Sequence, residues 1–284
     1  MNYKVGFIGA GKVGVTLGKY FSIHGLDVCG YYSKNELSSK EAAEFTTSKS
    51  FNNLKQLVDT CNLLFITTPD DTIENIWFDL QKFDLEGKII CHTSGSFSSS
   101  IFSNIDTSGA FGYSIHPLYP FSDKFNTYKN LDKAYFSIEG SLEFFDEMKA
   151  LLEAFGNKVI CLRASEKPLY HLSNVTVSNL VLSILNIGTG YLEQCNVPHQ
   201  EALNALLPLI EANLTNIKTK GFEAALTGPI ERGDIKTIQK HLYVMPSEDV
   251  ILYKRLSLNL VKLAEEKNKE RELKYAKLKI ELGG

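Results

Sequence analysis

Cysteine is scarce and scattered in this chain. Five residues (Cys29, Cys61, Cys91, Cys161 and Cys195) stand among 284, an odd total with no CxxC pair. That spacing argues against a disulfide framework and a clustered zinc site, and no metal is expected. Most of the five fall in apolar runs such as KVICL, where Cys behaves as a small hydrophobe. An excess of charge is missing too: 30 Lys and Arg face 33 Asp and Glu, a net of -3, so no basic field recruits nucleic acid or an anionic membrane. Long hydrophobic runs are few. The most apolar, NLVLSILNIG, is about half the length that crosses a bilayer, and no leader-like segment precedes the first strand at Tyr3. The expectation is a cytoplasmic protein without membrane or nucleic-acid partners. Repeats and low-complexity tracts are also lacking. What is present is ordinary globular material, 44% hydrophobic and 22% charged, long enough for one large domain or two unequal ones.

The first half alternates β-branched runs with helical periodicity. Strands are expected at KVGFIG, DVCGYY, NLLFIT, KIICH, GAFGYSIH, KAYFSI and KVICL, with helices at 12–24, 37–44, 54–59, 72–80 and 142–155. Ser38 and Glu41 have capping-box spacing, and Gly156 ends the last of these helices. Such alternation predicts an α/β fold, a doubly wound, mostly parallel Rossmann-like sheet. After Arg163 the strand signal stops, and long apolar-periodic stretches cover 165–194, 198–218 and 248–278. The reading is a Rossmann-like domain over 1–163 and an all-helical domain over 164–284, the latter expected to bind substrate and form a homodimer. The final Lys/Glu-rich helix reads as a solvated face.

VGFIGAGKVG places Gly9-x-Gly11-x-x-Gly14 after an apolar strand and at a helix start, the setting a dinucleotide fingerprint requires. Gly9 permits the tight turn, Gly11 the approach of a pyrophosphate, and Gly14 close helix–strand packing. Gly9, Ala10, Gly11, Lys12, Val13 and Gly14 are therefore cofactor-binding candidates. The second strand ends in Ser33 and Lys34, where an NAD site would carry Asp or Glu. A hydroxyl and a cation suit a 2′-phosphate, so the cofactor is expected to be NADPH. Thr67, Thr68 and Pro69 end the LLFIT strand at the same sheet edge, with Asp70 expected mainly to cap the next helix.

Two further strand ends carry chemistry at that edge: CHTSGSF with Ser94, and SIHPLYPF with His116. No GxSxG frame surrounds Ser94, so a serine hydrolase is a poor reading. His92, nearer its strand body, reads as a satisfied structural histidine. On the helix SEKPLYHLSNVTVSNLVLSIL, Lys167, His171, Asn174 and Ser178 share a stripe about 60° wide at ~100° per residue, with Asn179 on its flank. The rest of that helix is strongly apolar, so it is expected to be largely buried. A polar stripe there must pair with neighbours or line a wet substrate cleft. In ALTGPIERGD, Gly228, Pro229 and Gly233 fix a loop carrying Thr227 and Arg232. Arg232 can hold a carboxylate bidentately or pair with a local acid.

Taken together, GFIGAGKVG, TTPDDTI, CHTSGSF, SIHPLYPF, YHLSNVTVSN and ALTGPIERGD resemble the Rossmann-like oxidoreductases with a helical C-terminal domain long catalogued as of unknown function. That family is similar to pyrroline-5-carboxylate reductases and coenzyme F420-dependent NADP reductases, and some members are regarded as alternative ketopantoate reductases. The resemblance implies NADPH-dependent reduction of a small 2-oxo acid, with 2-dehydropantoate, a precursor of pantothenate and coenzyme A, as the leading candidate. Conventional ketopantoate reductases carry a catalytic Lys followed by Asn four and eight residues later. Placing His171 at the Lys position puts Val175 and Asn179 at the Asn positions, a departure at two of three places. His171 or Lys167 would then donate the proton, Asn179 would orient the carbonyl, and Ser94, His116, Asn174, Ser178, Thr227 and Arg232 would contact substrate. An imine reductase and a non-catalytic NADP(H)-binding sensor are the alternatives.

Overall fold

The computed structural model describes residues 2–284. Eight strands form one sheet: β1 (Lys4–Ile8), β2 (Asp27–Tyr32), β3 (Lys49–Ser50), β4 (Leu63–Ile66), β5 (Ile89–His92), β6 (Phe111–Leu118), β7 (Tyr135–Gly140) and β8 (Lys158–Cys161). Their order is β3-β2-β1-β4-β5-β6-β7-β8, and every neighbouring pair is parallel except β6 with β7. All seven expected strands form. The two-residue β3 is too short to leave a periodic signal. Period-two alternation sends Val5, Phe7, Leu63 and Phe65 into one apolar layer and Ile8, Leu64 and Ile66 into another, so both faces of the sheet are covered.

The helices of the first half are α1 (Lys12–Ile23), α2 (Glu36–Thr46), α3 (Leu54–Thr60), α4 (Asp70–Leu80) and α5 (Phe145–Ala154). Those beyond the sheet are α6 (Lys167–Val177), α7 (Asn179–Gln194), α8 (His199–Ala225), α9 (Pro229–Arg232), α10 (Ile235–Val244), α11 (Val250–Lys267) and α12 (Glu272–Glu281). By packing, the chain divides into two compact units, one ending at Val181 and one running from Leu182 to Gly284. Strand content stops at Cys161, near the expected division at 163, whereas α6 belongs by its contacts to the sheet unit.

Several expectations need correction. Asn35, not Ser38, caps α2, its side chain accepting from the Ser38 N–H at 3.2 Å. The single helix expected over 165–194 is interrupted at Ser178, whose backbone (φ −110°, ψ −73°) is distorted from ideal helical values. Its apolar side is not buried: Leu169, Leu172 and Val177 are 72%, 56% and 71% exposed. The helical run Ala164–Gln194, 31 residues with a mean hydropathy of 1.4 in its most apolar window, is long and apolar enough to cross a membrane by length and composition alone. The sequence reading missed this because it measured only the core of the run.

In the second unit, α8 runs past its expected end and is interrupted at Gly221 (φ +79°). The Lys/Glu-rich stretch is two helices, because Asn268 turns out of the helix and its amide donates to Glu231 Oε1 and the Tyr275 hydroxyl. Its second part is not merely a solvated face. Tyr275 and Leu278 are fully buried with Ile238, Val261 and Ala264 in the core of that unit.

Inside the sheet unit, Asn157 is 4% exposed and holds three elements together. Its Nδ2 donates to the Leu131 and Ala134 carbonyls at 2.7 and 3.0 Å, and its Oδ1 accepts from the Tyr20 hydroxyl at 2.9 Å. Asn157→Ala leaves these groups without their partner, and a loss of roughly 2–4 kcal/mol is expected. Urea melts of the two proteins measure it; a loss below about 1 kcal/mol would contradict the assignment.

Candidate functional site

The strand order reverses between β1 and β4, and ligands of open α/β sheets lie at the carboxyl edge there. A crevice of about 370 Å³ occupies that place. Gly9 adopts φ +106° as the chain leaves β1, and its N–H donates to the Tyr32 carbonyl at 2.8 Å. A Cβ on Gly14 would stand 2.4 Å from Thr67 Oγ1, so only glycine lets α1 approach β4 this closely. At Gly11 a Cβ would meet no protein atom within 4 Å, and its bare Cα faces the crevice. Gly11 caps α1 without a side-chain acceptor, and no acid stands in the first turn. The leading N–H groups of Lys12, Val13 and Gly14 are thus left for an external anion such as a pyrophosphate.

Of the expected cofactor residues, Gly9, Ala10, Gly11, Ser33, Lys34 and Thr67 to Pro69 line the crevice, whereas Lys12, Val13 and Gly14 contribute backbone to the first turn of α1. Lys34 is exposed and has no carboxylate partner among the described residues. Glu36 is occupied by Lys40 at 2.7 Å, and Asp79, the one acid among the lining residues, by Lys82 at 2.6 Å. Thr68 Oγ1 is buried there without a hydrogen-bond partner. The residues fit a dinucleotide: a glycine cradle, a bare helix start, an orphaned hydroxyl and an unpaired cation at the end of β2.

A second feature begins one residue past Pro69. Asp70 does not cap α4; Pro69 holds the N-cap position without a side-chain bond. The Asp70 carboxylate instead accepts from the Ser94 and Ser96 hydroxyls at 2.7 and 2.9 Å, tying the turn after β4 to the loop after β5. Beyond it lies a polar patch on one face of the sheet. In register, His92 of β5 stands beside Ser114 of β6, Ser114 opposite Glu139 of β7, and His116 opposite Ser137. Alternation puts these five on one face, the side opposite Cys91, Tyr113, Ile115, Phe136 and Ile138.

The start of α6 lies on this patch. Lys167 is 1% exposed, and its Nζ donates to the Ser94 carbonyl at 3.0 Å and the Ser114 hydroxyl at 2.8 Å. Burial pushes its pKa down to about 8, against the opposing pull of Glu139 and Asp70. Glu139 is itself 3% exposed and accepts from the Ser99 N–H and hydroxyl at 2.5 and 2.8 Å. One turn on, His116 Nδ1 and the Tyr170 hydroxyl are 2.8 Å apart. Burial, then Lys167 and His171, push the His116 pKa down to about 3. Gly95 lies between two imidazoles: a Cβ there would sit 2.9 Å from His171 Cδ2 and 3.0 Å from His116 Nε2. His92 is satisfied, as read from sequence, by the Ser98 carbonyl at one ring nitrogen and the Ser94 N–H at the other.

The first unit therefore brings together Ser94, His116, Lys167, His171 and Asn174. Ser178 and Asn179 are exposed and bond to each other at 2.9 Å. Thr227 and Arg232 belong to the second unit, both exposed; Arg232 has no carboxylate within salt-bridge distance among the described residues. Glu231 beside it is taken up by Asn268 and Arg271. The sequence reading missed Tyr170, Ser114, Ser137 and Glu139. Ser-x-His in β6 and Ser-x-Glu in β7 were the available signal, since residues two apart on a strand share a face. No group of three or more His, Cys, Asp or Glu is placed to hold a metal ion among the described residues.

Residues 1–117 match the model of a Rossmann-like domain, and residues 134–260 match a domain of unknown function, DUF2520. No curated protein matches. Among solved structures, a protein of Bacteroides fragilis provisionally called an NADP oxidoreductase is 23% identical with a TM-score of 0.71, covering 92% of this chain and 98% of that one. A protein of Thermotoga maritima is 23% identical with a TM-score of 0.72, over 93% and 99%. Pyrroline carboxylate reductase of Plasmodium falciparum, solved with NADP bound, is 14% identical with a TM-score of 0.62, over 100% and 99%. The shared feature is the fold.

Because burial lowers the Lys167 pKa, the folded chain binds that proton less tightly than the unfolded chain does. Stability of the wild type relative to Lys167→Met should therefore rise as pH climbs from about 8 toward the ordinary lysine value of ~10.5. Paired urea melts across that interval check the sign. A wild-type advantage that shrinks instead would contradict a depressed Lys167.

Proposed function

We propose that the protein is an NADPH-dependent reductase of a small 2-oxo acid, with 2-dehydropantoate as the substrate to test first. The observation that carries the reading is the buried polar cluster around Lys167, joined through Ser94 and Asp70 to the turn that lines the dinucleotide crevice. The NADP-bound Plasmodium falciparum relative supports the choice of cofactor. So does Lys34, unpaired at the end of β2, where a phosphate would be welcome and an acid would not.

When bound, the reduced dinucleotide supplies hydride to the carbonyl carbon. The chain's own part is to hold the carbonyl and manage the charge that builds on its oxygen. Lys167 places a cation beneath the site, and His171, with no hydrogen-bond partner among the described residues, is free to give that oxygen a proton. A lysine cation favours an oxygen becoming negative over an iminium that is already positive. That supports the oxo-acid reading over the imine-reductase reading suggested by the pyrroline carboxylate reductase likeness. Parallel assays of NADPH oxidation with 2-dehydropantoate and pyrroline-5-carboxylate decide between them. Turnover of the oxo acid is expected, with Lys34→Glu weakening NADPH at least about 10-fold more than NADH. An unchanged coenzyme ratio would defeat the NADPH assignment, and NADPH binding without turnover of either compound would favour a sensor.

A second copy of the chain is proposed to cover the exposed apolar residues of α7, α8 and α11. Leu180, Leu182, Leu209 and Ile251 are 49%, 66%, 60% and 75% exposed, too many on too many helices for a single spanning segment. Light scattering should give about twice the 31.8 kDa chain mass, and Leu182→Glu with Leu209→Glu should halve it. A monomeric wild type at micromolar concentration would remove this part.

A further inference from the structure

Three imidazoles share the polar patch, and their hydrogen-bond partners differ. His92 is occupied at both ring nitrogens. His116 is occupied only at Nδ1, by Tyr170, and Nε2 has no partner among the described residues. Which atom carries the shared proton follows from the acidities of the two groups. The Tyr170 hydroxyl, which burial holds above its ordinary pKa, bonds His116 Nδ1. A phenol oxygen has two lone pairs and one hydrogen. A phenol O–H is a stronger acid than a neutral imidazole N–H, and an imidazole nitrogen a stronger base than a phenol oxygen, so the hydrogen lies between the Tyr170 oxygen and His116 Nδ1 as O–H donating to N. The ring must then carry its own hydrogen on Nε2, the nitrogen beside Gly95 and His171.

We propose that His116 is a neutral electrophile: its Nε2–H, fixed in that tautomer by Tyr170, hydrogen-bonds the substrate oxygen as negative charge develops on it. This rests on the reductase reading above and adds to it the group that receives the charge. In balanced form, hydride makes the new C–H bond, the C=O π pair moves onto oxygen, and a proton from His171 makes the O–H bond. His116 neither gains nor loses a proton. Its surroundings hold it neutral: burial opposes a positive charge most, then Lys167 and His171 from α6; Asp70 from α4 favours one, and His92 from β5 opposes it least. Tyr170 is the positioning residue, acting through the imidazole.

The test uses the full chain labelled with 15N-histidine. Long-range nitrogen–proton correlation spectra assign His116 by its absence in His116→Gln. The expected state is neutral with hydrogen on Nε2 throughout about pH 5–8, and Tyr170→Phe should release it to a tautomer mixture. In NADPH oxidation with 2-dehydropantoate, His116→Ala should lower kcat by about 10²–10³-fold, while His116→Gln, which keeps an N–H donor, retains most of it. NADPH affinity should not change in either. A His116 that titrates within that range, or that carries its hydrogen on Nδ1, overturns the proposal while leaving the reductase reading intact. So does a His116→Ala enzyme as fast as the wild type. Failure of the wild type to reduce any 2-oxo acid ends the reductase reading, and the role proposed for His116 with it.

Discussion

The structure turns on the burial of one ammonium group. Taking a lysine out of water costs several kcal/mol unless acceptors and opposite charges meet it. Lys167 is met by the Ser94 carbonyl and the Ser114 hydroxyl, with Glu139 and Asp70 as the charges that oppose its deprotonation. Each partner sits on a different strand or strand end, so satisfying the lysine fixes the loop after β5 and the angular setting of α6 together. That setting puts Tyr170 against His116 and His171 beside Gly95. Without the buried cation, the Ser94 carbonyl and the Ser114 hydroxyl would lose the partner that α6 gives them.

The turn between β4 and α4 joins this patch to the crevice. Thr67 closes it from one side, its hydroxyl donating to the Gly9 carbonyl at 2.9 Å while Gly14 packs against it. Asp70 closes it from the other, through Ser94 and Ser96. Four consecutive residues thereby set the distance between the glycine cradle and the polar cluster. Reactions that depend on a donor and an acceptor meeting within a few tenths of an ångström gain from such a short, doubly anchored link.

The sheet was legible because its signals are local. Each strand from β1 to β8, β3 excepted, is a short β-branched or aromatic run bounded by turn residues, and the glycine fingerprint is contiguous. The polar stripe on α6 was legible as far as Asn174, because helical periodicity places residues on one face. It failed at Ser178, where the backbone bends and the Ser178 hydroxyl bonds back to the Asn174 carbonyl. Asp70 was misread because capping is the commoner use of an acid at a helix start, and the hydroxyls that claim it lie 24 and 26 residues away. Tyr170 and Glu139 were missed for the same reason: their partners, His116 and Ser99, lie 54 and 40 residues away. The exposed apolar helices were misread in the other direction, since periodicity reports that a face avoids water but not what covers it.

The histidines of the patch show how one sheet face yields different chemistry from one residue type. Partner count alone separates them. With both nitrogens engaged and burial holding its pKa near 4, His92 can only brace the loop that carries Ser94 and Ser98. With Nδ1 engaged by Tyr170 and Nε2 without a partner among the described residues, His116 keeps one nitrogen open beside Gly95. With neither engaged among the described residues, His171 has the fewest hydrogen-bond partners of the three. A charge on His116 would have to stand beside Lys167, and both groups already sit below their ordinary pKa values. Burial first, and then repulsion from the adjacent lysine cation, keep the neighbouring imidazole neutral. The same burial that makes Lys167 costly thus sets the protonation state of the group beside it.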